Sequence, residues 1–356
     1  MNFQFKKYLF LLILSILGLS GCLKDDVSPV YNFNLADNAL LLNYLETQGD
    51  YINSSNMPSI VNVDDVYNNL ENYLIIDTRT NAEYIAGHIS GAINIKNDSL
   101  ITYLNSIDIY KYPKIVLVSS DGQASSYYTC LLRLYGVSNV YSLLWGMAQW
   151  NSVFSSVWTQ NIGDNYDVTR DFVYPDITYD SLSNLPQVNF QNSEDSFEKK
   201  VKSRISEIIN IGFTDSVSYT KINPGGIGFN GESADNFFIV CYAERPVYSQ
   251  HKLQPYSVGH FPNSIVLSPD RDLKSTLFLQ ILPDNKKIIL YSCAGQLSAF
   301  GVAYLRVLGY DAKSLLYGGS DLFYSYLVYK GNLLAPYVFY TSDIRNYGYV
   351  AGSSPK

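Results

Sequence analysis

The chain has 356 residues, enough for about two domains with cores of their own. It is 47% hydrophobic, with 32 Tyr and 17 Phe against only 16% charged residues, which excludes a disordered chain, and a net charge of −7 argues against a nucleic-acid partner, whose phosphates it would repel. Four Cys without a C-x-x-C pair and three His give no basis for a disulfide scaffold or a metal centre, and no cofactor is expected.

The first segment, MNFQFKKYLFLLILSILGLSGC, places Lys6 and Lys7 before an apolar run from Tyr8 to Leu19. That run is shorter than the ~20 residues needed to span a bilayer, which predicts a signal peptide over residues 1–21. Leu19-Ser20-Gly21-Cys22 resembles the lipobox of bacterial lipoproteins, implying lipidation of Cys22 and attachment to a membrane through that lipid. An ordinary secretory cleavage beside an unrelated Cys is the alternative. Loss of residues 1–21 removes two lysines and no acid, moving the net charge from −7 to −9. Residues 22–36, polar and containing Pro29, read as a flexible tether. Within it, Leu23-Lys24-Asp25-Asp26 resembles the Lys-acidic-acidic tag of surface lipoproteins in some diderm bacteria, with a plain solvated tether as the equal alternative. The expected location is the cell envelope, at the outer membrane, where Cys130, Cys241 and Cys293 are beyond cytosolic reductants and free to pair or oxidise.

A first domain is expected over 37–152. Asp37 can cap a bracing helix that carries Leu41, Tyr44 and Leu45 and stops near Gly49. In YLIIDTRTNAEYIAGHISGAINI (73–95), Asp77 at a strand end can hold the following loop, and Arg79 and Glu83 have i to i+4 spacing for an ion pair. His88, and later His260, each follow a Gly in a turn and read as holders of backbone rather than catalysts. Segments 114–146 and 287–319 align without a gap, each giving a buried strand (115–118; 288–291), a Gly-containing loop, a helix, a Gly stop (Gly136; Gly309) and another strand. Strand–helix–strand order predicts parallel pairing with right-handed crossovers, so each copy should be an α/β doubly wound sheet. Residues 153–192, rich in Asn, Asp, Ser and Tyr with Pro175 and Pro186, are the expected linker. A second domain over 193–356 opens on a helix after Ser193, with Phe197, Val201, Ile205 and Ile208 on one face.

The 73–95 stretch resembles the rhodanese-like domain family, whose first half carries Asp-x-Arg after a strand, then Glu, then Gly-His-Ile-x-Gly-Ala. Asp77, Arg79, Glu83, Gly87, His88, Ile89, Gly91 and Ala92 match, and Leu144 to Trp150 is similar to the family's closing Gly-x-x-x-Trp element, so the likeness covers about residues 56–152. The second copy keeps Gly259-His260 but has Cys241 and Ala243 for Asp and Arg, and an insertion that includes His251. The resemblance implies two doubly wound parallel-sheet rhodanese-like domains in tandem. It also implies a sulfur-transfer loop Cys-x-x-Gly-x-x-Ser, whose N–H groups hold an anion and lower the thiol pKa.

The corresponding loops are Ser119-Ser120-Asp121-Gly122-Gln123-Ala124-Ser125 and Ser292-Cys293-Ala294-Gly295-Gln296-Leu297-Ser298. A Ser at both nucleophile positions, Ser119 and Ser292, cannot carry a persulfide. Gly122, Gln123 and Ser125, with Gly295, Gln296 and Ser298, are left as cradles for an anion or peptide. Neither loop has Lys or Arg, and Asp121 repels anions, so thiosulfate is a poor substrate and a phosphatase, needing Cys and Arg, is excluded. A serine hydrolase would need a general base beside Ser119 or Ser292. Cys293, one position late, reads either as a displaced nucleophile fed by a persulfide donor or as a core thiol, while Cys130 and Cys241 read as core. Two functions follow: a noncatalytic binding or assembly module with a protein partner, or a sulfurtransferase or persulfide carrier using Cys293.

Overall fold

The computed structural model describes residues 36–166, 183–190, 195–223, 228–243, 260–329 and 338–353. The expected signal peptide, Cys22, nearly all of the tether, Ser193, His251 and Gly259 lie outside the described residues. The first half runs α1 (Asp37–Thr47), β1 (Ile60–Val61), α2 (Val63–Tyr67), β2 (Leu74–Asp77), α3 (Asn81–Ala86), β3 (Ile93–Asn94), α4 (Leu100–Ser106), β4 (Ile115–Val118), α5 (Gln123–Tyr135), β5 (Val140–Leu143), α6 (Met147–Trp150) and α7 (Ser156–Thr159). The second runs α8 (Phe197–Ile211), β6 (Tyr219–Thr220), the hairpin β7 (Gly228–Phe229) and β8 (Glu232–Ser233), β9 (Phe237–Tyr242), β10 (Ser264–Leu267), β11 (Lys287–Tyr291), α9 (Gln296–Val307), β12 (Ala312–Leu315), α10 (Gly319–Leu322) and α11 (Tyr324–Tyr329).

Both main sheets are parallel throughout, with orders β1-β5-β4-β2-β3 and β6-β12-β11-β9-β10. Element for element these are the same order, so the duplication extends from sequence to topology. Continuous apolar runs suit strands covered on both faces. Ile115 and Leu117, with Ile288 and Leu290, turn into one core that is continuous between the halves, around the paired helices α5 and α9. Val116 and Val118 fill a separate core on the outer face of the first sheet, and Ile289 and Tyr291 one on the outer face of the second.

The gapless repeat alignment fails beyond the helices. Gly146 N–H donates to Leu143 O and Gly318 N–H to Leu315 O, both at turns after equivalent strands. These partners are in step only because the turn from Gly309 to Ala312 is one residue shorter than that from Gly136 to Val140.

The bracing helices each reach across to the other half. In α1, the Glu46 carboxylate accepts from Ser275 N and Oγ, both at 2.7 Å, and Asn38 Nδ2 donates to Leu185 O and Pro186 O at 3.0 Å. Helix α8 lies on α5, with Asn97 Nδ2 donating to Ile209 O at 2.7 Å, and its cap is Ser196, whose hydroxyl accepts from Lys199 N, rather than Ser193. The expected linker is partly built into the body: it contains α7, Trp158 is fully buried, and Gly163 N–H donates to Ser320 O at 2.9 Å.

Residues 338–353 return from the second half as a strap over the first. Val350 and His88 exchange backbone hydrogen bonds at 2.9 Å, Trp150 Nε1 donates to Gly348 O at 2.9 Å, and Tyr347 stacks on Tyr67 with ring centroids 3.8 Å apart. Hydrogen bonds from Arg345 and Tyr347 hold the Asp64 carboxyl below its ordinary pKa. A lowered carboxylate pKa stabilises the fold above the unfolded value, and the contribution is lost as pH falls through the folded one. Amide exchange at Tyr347 and Val350 is therefore expected to accelerate, relative to the α5 amides, below the ordinary carboxylate range, and Asp64→Asn should produce the same loosening at neutral pH.

Candidate functional site

Ser119 and Ser292 directly follow strands β4 and β11, and the loops they open meet at the seam between the halves. Each serine is turned inward onto its own loop. Ser119 Oγ accepts from Gly122 N at 3.0 Å and Ser125 N at 3.3 Å, and Ser292 Oγ accepts from Gly295 N at 3.1 Å and Ser298 N at 3.3 Å. Behind them Ser125 Oγ lies 2.8 Å from Ser142 Oγ, and Ser298 Oγ 2.8 Å from Ser314 Oγ. Ser142 and Ser314 went unnoticed in the sequence because a gapless alignment sets Ser142 against Leu315; with the one-residue deletion they coincide.

The two loops lock each other through their glutamines. Gln296 Nε2 donates to Gly122 O at 3.1 Å and Ser126 Oγ at 3.2 Å, while its Oε1 accepts from Trp145 N at 3.1 Å. Reciprocally, Gln123 Oε1 accepts from Tyr317 N at 2.9 Å, and its Nε2 donates to Asp121 Oδ2 at 2.8 Å. Gly122 and Gly295 have φ of 87° and 81°, and a Cβ on either would run into the glutamine amide from the opposite loop. Asp121 also accepts from Gln123 N at 2.9 Å. Burial pushes the Asp121 carboxyl up, opposed by the bonds from Gln123 and from Tyr317, whose phenol is itself raised by burial and by Asp121.

At the expected cradle positions Gly122, Gln123, Ser125, Gly295, Gln296 and Ser298, several of the loop N–H groups are engaged within the loops themselves. The N–H groups of Gly122, Ser125, Gly295 and Ser298 point at serine hydroxyls, and that of Gln123 at a carboxylate. The same hydroxyls also lie close to their loop's second serine, Ser119 Oγ 3.1 Å from Ser125 Oγ and Ser292 Oγ 3.4 Å from Ser298 Oγ.

The expected Arg79–Glu83 pair is also replaced. Thr80 caps α3, so Arg79 precedes the helix and does not share its face with Glu83. Arg79 instead grips Asp77 (Nη2–Oδ2 2.6 Å, Nε–Oδ1 3.0 Å) and donates to Gly87 O at 2.7 Å. Glu83 completes a capping box with Thr80 and accepts from Ser120 Oγ at 3.0 Å. Burial alone would raise its pKa, but the bonds from Thr80 and Ser120 and the Arg79 charge hold it below its ordinary value. His88 is stacked on Tyr84 at 3.7 Å with Nδ1 2.8 Å from Tyr84 O, and His260 Nδ1 lies 3.0 Å from Ser264 Oγ.

Cys130, Cys241 and Cys293 are buried thiols joined in no disulfide, against the expectation that they could pair. Burial raises the Cys130 pKa, as expected of a core thiol. Cys293 lines a cavity of 210 Å³ at the seam, walled by Pro58, Ile60, Leu144 and Trp145 from the first half and by Ser292, Ala294, Gln296 and Leu297 beside it. Among the described residues no cluster of His, Cys, Asp and Glu could hold a metal ion.

The rhodanese-like domain model matches residues 62–153. The thiosulfate sulfurtransferase GlpE of Pseudomonas entomophila (strain L48) is 33% identical over 84 residues, 24% of this chain and 75% of that one. GlpE of Pseudomonas paraeruginosa (strain DSM 24068 / PA7) is 32% identical over 80 residues, 22% of this chain and 71% of that one. A rhodanese-related protein from Thermoplasma volcanium, known from its crystal structure, is 26% identical with a TM-score of 0.22, covering 24% of this chain and 84% of its own. The chain belongs to the rhodanese-like domain family, and its two parallel-sheet α/β regions are consistent with tandem domains of that family.

Proposed function

We propose that this protein is an exported, lipid-anchored, noncatalytic rhodanese-like binding module of the cell envelope. The observation that carries the noncatalytic part is the inward turn of both loop serines: Ser119 Oγ accepts from the Gly122 and Ser125 N–H groups and Ser292 Oγ from those of Gly295 and Ser298, engaging four of the donors that could otherwise face a sulfur anion. The reciprocal glutamines then close the two loops on each other, so the loops serve to join the domains. Export and anchoring rest on the signal-like segment before Cys22. With thiosulfate and cyanide as substrates, thiocyanate release is expected to stay at the uncatalysed rate; release proportional to protein concentration would overturn the reading.

A second reading is favoured by one observation, the position of Cys293 in the cavity wall. There it would act as a persulfide carrier with a neutral donor in place of thiosulfate. Replacement of Cys293 by Ser separates the two readings, because it abolishes transfer only in the second.

A further inference from the structure

The seam cavity has an asymmetry that the pseudo-symmetry of the halves does not require. Over the first loop, the space beside Asp121 is filled: Trp158 Nε1 donates to Asp121 O at 3.2 Å, and the indole packs edge-on against Tyr317 at 5.0 Å. Over the second loop Ala294 stands where Asp121 stands in the first, and the 210 Å³ remains between Pro58, Ile60, Leu144 and Trp145 on one side and Cys293, Ala294 and Leu297 on the other. Its exposed wall is almost entirely carbon. The polar groups that border it are engaged elsewhere: Ser292 Oγ on two loop N–H groups, and the Gln296 amide on Gly122 O, Ser126 Oγ and Trp145 N. Among the described residues no Lys, Arg or His lines it.

We propose that this cavity is a binding site for a small, uncharged, apolar molecule, of the size of a substituted benzene or a short branched alkyl group. Size sets the upper limit, since an apolar cavity of about 150 Å³ already holds benzene. Charge sets the class. A carboxylate, sulfonate or thiosulfate would lose its hydration against carbon and gain no counter-charge, whereas an apolar guest replaces wall–void gaps with contacts. Because the walls come from both halves, an occupant also braces the seam. The inference deepens the binding-module reading and rests on it, but sulfur transfer and equilibrium binding are measured separately, so either can fail alone.

The test is thermal unfolding of the whole protein with toluene and, in parallel, benzoate, which has nearly the same shape and a charge. Toluene near saturation is expected to raise Tm by about 2 °C and benzoate to leave it unchanged. Leu297→Phe and, from the opposite wall, Ile60→Phe fill the cavity and should each abolish the toluene shift. Should both variants fold poorly, a saturable, toluene-dependent change in tryptophan emission of the unaltered protein, reporting Trp145, supports the site. No Tm or emission change up to the solubility of toluene, an equal response to benzoate, or an undiminished shift in a folded filled variant would overturn the proposal.

Discussion

Arg79→Ala is expected to lower the unfolding free energy by about 3–5 kcal/mol, the cost of stranding one partner of a buried ion pair. Asp77 is fully buried at the end of β2, and Arg79 is its cation as well as a donor to Gly87 O and a neighbour of the Phe154 ring at 5.5 Å. Truncation therefore leaves a carboxylate without a counter-charge, the Gly87 carbonyl without its donor, and a gap beside the ring. For a chain of this size the loss corresponds to a drop in Tm of roughly 4–7 °C. The comparison that isolates the pair is Asp77→Asn with Arg79→Met, which removes both charges and should be far milder than Arg79→Ala alone. Equal Tm values for Arg79→Ala and the unaltered protein would show that the pair does not hold the turn in place.

Gln123→Ala combined with Gln296→Ala is expected to destabilise by about 2–5 kcal/mol, because each truncation strands a buried backbone N–H, at Tyr317 and Trp145 respectively, at about 1–3 kcal/mol each. The Gln296 side chain should cost more, since it also serves Gly122 O and Ser126 Oγ across the seam. Both residues act on one pair of apposed loops, so their effects should not add simply. Chemical denaturation of the two single variants and the double variant gives the coupling directly. Single-variant losses below about 0.5 kcal/mol, the range of ordinary surface changes, would show that the glutamines do not lock the loops together.

Much of the fold was legible because the signals were local. The apolar run Ile115 to Val118, the loop glycine and the stop at Gly136 specify strand, turn and helix without reference to the rest of the chain, and the second copy repeats them at Ile288, Gly295 and Gly309. What was not legible depends on partners distant in sequence. The spacing of Arg79 and Glu83 suggests a helical pair, yet a threonine cap between them starts the helix one residue too late for it. Gln123 and Gln296 read as loop positions facing an anion, and nothing in either loop says that each reaches the opposite domain. Ser142 and Ser314 were masked by a single deleted residue. Trp158, in a stretch without periodicity, is a seam residue whose role emerges only when both loops are in place.

The most direct measurement of the central claim is site-resolved mass analysis of the folded, reduced protein after exposure to thiosulfate and, separately, to a neutral organic polysulfide, with Cys293→Ser as control. No persulfide able to pass sulfur to cyanide is expected on any cysteine, because Ser119 and Ser292 occupy both nucleophile positions. A transferable sulfane sulfur confined to Cys293 would contradict it and make this protein a sulfurtransferase with a displaced nucleophile.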